Sequence, residues 1–408
     1  MPSVRHRARK FIDGHSVGCR PPGVDILQVV RNGDGDGDED SLAGESFFDV
    51  RIKHPGLRPH RVGLGLYGRD RDDRSRLVFR RRTLLTLPEG QSWTPLDLDD
   101  GDRQPDLVLL NDGDLSYAKV RLDGSCWTCV AEGLRHLPDP LSRAVVWTAA
   151  RDMVRDGQLS SMDHLSLVQR HLPSEDDISI VQGVLGFARQ HVIDRLLDLG
   201  DKTTALAAMG VTCHAILERA DDTTLSRLRL AALRGLIDAA VSQRDIEELR
   251  TYLANDTVPG GPVLDAGSRH QRCRTRGCRA CRAALPGLAT KTTAWEAMFG
   301  DGREGDALST YLVSATAGGF WQAEQRALLA PFVGRYFTAA VEVAARRGPS
   351  VATAVGRTGF PLHIVDADTL RAGEQCLADG GVTGALRRAL ADQLDDLRRA
   401  LRVRSLHH

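Results

Sequence analysis

The chain has 408 residues, enough for two or three domains that each bury a core. Its 54 basic and 54 acidic side chains cancel, so no overall field draws it to nucleic acid or to anionic lipid. The composition, 42% hydrophobic and 26% charged, is that of a globular protein, and no apolar run approaches the roughly 18 residues that a bilayer crossing needs.

Residues 1–22 are basic but lack a continuous apolar stretch, so they read as a flexible lead-in rather than a secretory signal. From 23 to 122 the hydrophobic signal has period two. VDILQVV (24–30), SFFDVRI (46–52), HRVGLGLY (60–67), RLVFRRRTLLTL (76–87), DLVLL (106–110) and LSYAKVRL (115–122) are strand-length runs divided by Gly, Pro and Asp clusters. That spacing predicts a small antiparallel β-sandwich. Arg80, Arg81 and Arg82 lie inside one run and read as edge or solvent-facing charges rather than an anion site.

Two acidic clusters interrupt these strands. Asp34, Asp36, Asp38, Asp40 and Glu45 fall on calcium-loop spacing, but Glu39 stands where the loop needs glycine, and the flanks read as strands. A flexible hairpin loop is the expectation. The two carboxylates of Asn111-Asp112-Gly113-Asp114 have no histidine, metal partner or acid/base mate nearby in sequence, and the stretch reads as a turn feeding the next strand.

From residue 123 to 408 the period becomes helical. Leu141, Val145, Val146, Ala149, Met153 and Val154 form one face. Ile178, Val181, Val184, Leu185, Ala188, Val192, Ile193, Leu196 and Leu197 form another, and Leu225, Leu228, Ala232, Leu233, Leu236, Ile237 and Ala240 a third. Leu386, Leu390, Leu394, Leu397 and Leu401 close the chain on a long amphipathic helix. Breaks are expected at HLPSEDD, LGDKT, ANDTVPGGPV, AALPG, GDGREGD and RRGPS. Many short helices without strands between them suggest stacked hairpins, an α-solenoid, although no strict repeat period is visible.

The chain holds 8 cysteines and no secretory signal, which points to free thiols in the cytoplasm. Cys126/Cys129 and Cys278/Cys281 have CxxC spacing and could hold zinc if the pairs met, but helix-forming surroundings favour ordinary buried thiols. The arginines from Arg269 to Arg282 read as a solvated helix face. No histidine is followed by glutamate, which excludes H-E-x-x-H, and there is no G-x-S-x-G elbow, P-loop or dinucleotide-binding glycine run. No catalytic residue and no metal ligand is therefore assigned, and substrate contacts stay open.

Five blocks carry a family resemblance: HPGLRPHRVGLGLY (54–67), LVLLNDGDLSYAKVRLD (107–123), DPLSRAVVWTAARDMVRDG (139–157), CRAALPGLATKTTAWEAMFGD (281–301) and GFWQAEQRALLAPFVGRYF (319–337). The chain resembles the C-terminal half of actinobacterial aminopeptidase N, of the gluzincin zinc-aminopeptidases. The resemblance implies a β-sandwich at 23–122 and a HEAT/armadillo-like helical solenoid at 123–408 that caps and walls a peptide chamber. It also implies that the family's zinc ligands and amine-binding Gly-x-Met-Glu-Asn motif belong to preceding domains with no counterpart here. The section around 258–280 is shorter than in such relatives.

The expected role is that of a non-catalytic C-terminal portion without cofactor. Its partners would be peptides or a separately encoded catalytic domain, with no nucleic acid or membrane. A half of a split zinc aminopeptidase, and a stand-alone protein- or metal-binding solenoid, are the alternatives. If the chain is such a non-catalytic portion, the β region should present an apolar patch where the catalytic domain would have packed, and the protein should self-associate or express poorly.

Overall fold

The computed structural model describes residues 25–31, 50–53, 58–91, 93–96, 105–219, 226–255, 278–300 and 308–406. The lead-in 1–22, the run from Asp34 to Glu45, Cys273 and most of 258–280 lie outside them. Among the described residues every strand precedes residue 122 and every α-helix follows Asp123, so a small β region leads into a mostly helical one.

The strands are β1 (Asp25–Arg31), β2 (Val50–Lys53), β3 (His60–Arg69), β4 (Leu77–Leu87), β5 (Trp93–Leu96), β6 (Leu107–Leu110) and β7 (Ala118–Arg121). They form one sheet in the order β5-β2-β1-β7 and another in the order β4-β3-β6. β1 touches β6 across the layers, and Leu27, Val29 and Ile52 of one sheet and Leu64, Leu66, Leu107 and Leu109 of the other are buried. One expectation fails here. The β region is not wholly antiparallel, because β7 runs parallel to β1, with Asp25 opposite Ala118 and Gln28 opposite Arg121. The cause is the Asn111–Asp114 turn. It carries the chain from β6 in one sheet to β7 in the other, so β6 and β7 are not a hairpin and nothing forces β7 to oppose β1.

β4 is an edge strand, as its arginines suggest, and it exposes Val78, Phe79 and Leu84 at 42%, 43% and 52%. Arg82 departs from the solvent-facing reading, since its guanidinium turns inward onto Asp112.

The helices are α1 (Gly124–Gly133), α2 (Pro140–Arg155), α3 (Ser161–His171), α4 (Ile178–Phe187), a π-helical segment (Ala188–Leu196), α5 (Leu199–Arg219), α6 (Ser226–Ala239), α7 (Gln243–Asn255), α8 (Cys278–Ala284), α9 (Leu288–Phe299), α10 (Thr310–Phe320), α11 (Arg326–Arg347), α12 (Pro349–Arg357), α13 (Ala367–Ala378) and α14 (Gly384–Leu406). Five of them start on side-chain caps. Asp123, Asp139, Ser160, Ser309 and Asp366 each accept a backbone N–H from the first turn they precede. LGDKT, expected as a break, instead opens α5. Asp201 lies in the first turn of α5, where a carboxylate favours the positive end of a helix. Leu141 and Ile237, placed on buried faces by periodicity, are exposed at helix ends.

The chain divides into two compact units, Met1–Phe187 with Ala208–Leu236, and Ala188–Ala207 with Ile237–His408. Helices α1 to α4 thus belong with the sheets. In the second unit helices pack on neighbours close in sequence: α8 and α9 on α10, α11 on α12 and α13, and α12 and α13 on α14. The core there is aromatic. Trp295 lies 4.3 Å from Phe299 and 5.3 Å from Phe332 between ring centroids, and Tyr336 packs edge-on to Phe337 and Phe360. Residues 323–347, which include α11, are long and apolar enough to cross a membrane. Leu329, Phe332, Tyr336, Phe337, Ala340, Val343 and Ala344 are nonetheless buried against this core.

Candidate functional site

The polar groups of the first unit converge at Asp112. Alternation in HRVGLGLY turns Val62, Leu64 and Leu66 to one face of β3 and Gly63, Gly65 and Tyr67 to the other. The glycines make room for the Asn111–Asp114 turn: a Cβ on Gly63 would lie 2.0 Å from the Asp112 carbonyl oxygen, and one on Gly65 2.2 Å from its Oδ2. Asn111 and Asp114 take left-handed φ of 55° and 53°, and Gly113 takes 91°. Asn111 spans the turn, donating to the Ser116 carbonyl at 2.8 Å and accepting from the Ser116 N–H at 2.9 Å.

Asp112 is fully buried and saturated with donors. Its Oδ1 accepts from Ser142 Oγ at 2.5 Å. Its Oδ2 accepts from Arg82 Nε at 2.8 Å and from the Tyr67 hydroxyl at 3.1 Å. Arg82 extends to Asp139 Oδ2 at 2.9 Å, and the other oxygen of Asp139 caps α2. Burial pushes the Tyr67 hydroxyl up to about 12. The Arg82 hydrogen bond holds the Asp139 carboxyl below the usual range. Ser142 gives its proton to a carboxylate already held by two other donors, and no histidine enters the cluster. The arrangement binds β3, β4, the turn and α2 together rather than activating a nucleophile.

Other acids and thiols of this unit also hold elements together. Asp25 Oδ2 accepts from His60 Nε2 at 2.7 Å and Arg58 Nε at 2.8 Å, joining the two sheets. Burial opposes ionisation of Asp25, but these donors hold its carboxyl below the usual range. Cys126 Sγ donates to the Val108 carbonyl at 3.6 Å and Cys129 Sγ to the Asp106 carbonyl at 3.2 Å, which pins α1 to β6 and its approach. Burial pushes the Cys129 thiol up, away from the thiolate a metal would need. Cys281 is exposed on α8 in the second unit. Among the described residues no three His, Cys, Asp or Glu side chains come together to hold a metal ion.

His164 and His171 lie in α3 at 1% and 2% exposure. Burial pushes both down to about 4, so the folded unit holds them neutral. His171 donates from Nε2 to the Ala131 carbonyl at 3.0 Å and accepts the Arg135 N–H at Nδ1, so a second proton would break that contact. Between about pH 6.5 and about 4 the unfolded chain binds protons that these histidines refuse, so stability is whole above 6.5 and falls as pH drops. The expected loss is up to roughly 3 kcal/mol per histidine by pH 4, beginning below pH 6.5. Urea midpoints at pH 7 and pH 5 check this. The wild type should fall between them, and His164→Leu should fall less; equal falls would contradict it.

A second polar cluster surrounds the π-helical segment, a geometry frequent at functional sites. Arg189 pairs with Asp194 and reaches Glu324 at 2.7 Å. Lys202 Nζ donates to the Asp194 carbonyl at 2.8 Å, and Arg404 Nε to the next carbonyl, that of Arg195, at 2.9 Å. His363 Nδ1 stands 3.8 Å from Asp194 Oδ2, and Arg326 pairs with Asp366 at 2.9 Å. Burial, then Arg189, pushes His363 down to about 4. Sequence reading missed this cluster because its members come from four separated stretches. The one signal was the opposite charges of Glu324 and Arg326 inside a largely apolar block.

Residues 107–271 match the family model of the ERAP1-like C-terminal domain. In an alignment of 386 positions that covers 86% of its length, the chain is 31% identical to aminopeptidase N of Streptomyces lividans, in the C-terminal part of that protein. The chain carries an ERAP1-like C-terminal domain and is similar over most of its length to the C-terminal part of an aminopeptidase N. It spans 43% of that relative's length.

The blocks that carry the resemblance meet in space. Gly63, Gly65 and Tyr67, then Asp112, then Asp139 and Ser142 come from three blocks and form the Asp112 cluster. The other two meet at Lys291, which is fully buried and donates at 2.7 Å both to the Ala283 carbonyl and to the Phe320 carbonyl.

Proposed function

We propose that this chain is the non-catalytic C-terminal portion of an aminopeptidase N-like protein. Its helices, stacked as a HEAT-like solenoid, serve as the cap and wall of a chamber that holds peptides in the cytoplasm. The observation that carries this reading is the alignment of 86% of the chain with the C-terminal part of the relative, in a sequence that holds no His-Glu pair. Two further features support it. Helices of the second unit pack on near neighbours, as stacked hairpins do. Tyr67, Asp112, Asp139, Ser142 and Lys291 of the resemblance blocks hold elements together.

Fluorescence anisotropy with labelled peptides of graded length tests the peptide-holding role. Saturable binding that strengthens with length, at concentrations up to about millimolar, is expected. No saturable binding at any length would overturn it.

A further inference from the structure

We propose that the open edge of β4 is a docking strand, which takes an extended acidic segment of a protein partner as one more strand of its sheet. β4 is the edge of the β4-β3-β6 sheet, and among the described residues no strand pairs with its far side. Most of it is accessible, since only Leu77 and Leu87, at its two ends, are buried. Its backbone faces outward at alternate residues. On β3 the carbonyls of Gly63 and Tyr67 accept the N–H groups of Asp112 and Asp106, each at 3.0 Å, so Gly63, Gly65 and Tyr67 aim their backbone groups at the β6 side. In an antiparallel ladder the residues opposite such positions turn their own N–H and C=O away. These are Leu84 opposite Gly63 and Arg82 opposite Gly65, and the alternation continues to Thr86 opposite Arg61. The register shifts at Arg80, a bulge that leaves a regular open run from Arg81 to Leu87.

Charge selects the occupant. β4 carries Arg80, Arg81 and Arg82 and no acid, in a chain whose net charge is zero. A second copy of β4 would bring its own arginines to the same edge, and like charges on neighbouring strands repel. A strand that carries carboxylates is attracted instead.

Alternation then sets the pattern of the partner. Arg82, Leu84 and Thr86 share one face of β4, and Arg81, Thr83 and Leu85 share the other. The Arg82 guanidinium stays on Asp112 and Asp139, so that residue offers its backbone. An incoming strand fits with apolar side chains beside Leu84 and carboxylates on the face of Arg81. Its N–H groups at the apolar positions meet the outward carbonyls of β4.

The test is fluorescence anisotropy of the full chain with a labelled peptide of about ten residues that alternates valine and glutamate. Binding about tenfold tighter than that of the same peptide with lysine for glutamate is expected, and salt should narrow the difference. N-methylation of the valine amides should abolish binding, whereas N-methylation of the glutamate amides should leave it, a contrast that needs no variant to fold. Leu84→Pro removes one outward N–H where an edge strand tolerates proline, and with its circular dichroism retained it should weaken binding about tenfold. Peptide held by the helices would bind Leu84→Pro as it binds the wild type, so this reading and the chamber reading fail separately. Equal binding of the glutamate and lysine peptides overturns the proposal, as do methylated sets that do not differ or differ in the opposite sense. So does unchanged binding to Leu84→Pro, or a dimer of the chain that Leu84→Pro dissolves, which would give the edge to a second copy.

Discussion

Asp112→Ala is expected to cost the first unit about 3–5 kcal/mol, because it removes one partner of a buried charge network and strands the others. Ser142 Oγ and the Tyr67 hydroxyl lose the carboxylate they share, and Arg82 keeps Asp139 and a 3.3 Å contact to Ser142 Oγ. Asp112→Asn is the informative companion. It keeps the shape and two acceptor sites but removes the charge and points an amide where Ser142 or Arg82 donates, so an intermediate loss is expected. Gly65→Ala attacks the same cluster from below, since its Cβ would meet Oδ2 of Asp112 at 2.2 Å. Urea unfolding followed by tryptophan fluorescence measures all three. A loss below about 1 kcal/mol for Asp112→Ala would show that the cluster is incidental.

Lys291→Ala is the second large effect, and it falls on the other unit. The side chain is fully buried, with its ammonium bridging carbonyls near the C-terminal ends of α8 and α10 and lying 5.3 Å from the Phe320 ring centroid. Removal leaves two carbonyls without that donor and a cavity beside Trp295 and Phe320, a combined cost of about 3–5 kcal/mol. Lys291→Met separates the two contributions by restoring volume without the donors, and it should recover about half of the loss. Recovery to wild type would mean the hydrogen bonds contribute nothing, and no recovery would mean the volume does not matter. The sign with pH follows from the ammonium being pushed down to about 8. Between about 8 and 10.5 the unfolded chain holds a proton that the folded one has released, so stability rises with pH there, and Lys291→Met should flatten that rise.

Legibility in the sequence followed the range of the interactions. Period-two runs showed most strands because one-sided burial writes itself into alternate residues, as in β1, where Leu27 and Val29 are buried between half-exposed neighbours. The leucine stripe of α14 was legible for the same reason, and Leu386, Leu390, Leu394 and Leu397 are all buried. The turn chemistry of Asn111 to Asp114 was legible too, because left-handed φ favours Asn, Asp and Gly. Its destination was not. That Asp112 fills the space over Gly63 and Gly65 depends on residues nearly fifty positions earlier, and local pattern carries no trace of such a contact. The parallel entry of β7, the inward turn of Arg82 and the burial of Lys291 escaped for the same reason. Each is a tertiary pairing imposed on a residue whose own type suggests the surface. The charged cluster at Arg189, Asp194, Lys202 and Arg404 was the least legible, since balanced charges spread over four stretches resemble any solvated surface.

The most direct test of the central claim, that this chain is a C-terminal portion without peptidase chemistry of its own, is hydrolysis of alanyl and leucyl aminoacyl reporters by the purified chain with zinc supplied. The account predicts turnover no higher than the buffer blank, unchanged by chelator. Turnover that zinc raises and chelator abolishes, co-eluting with the chain, would contradict it.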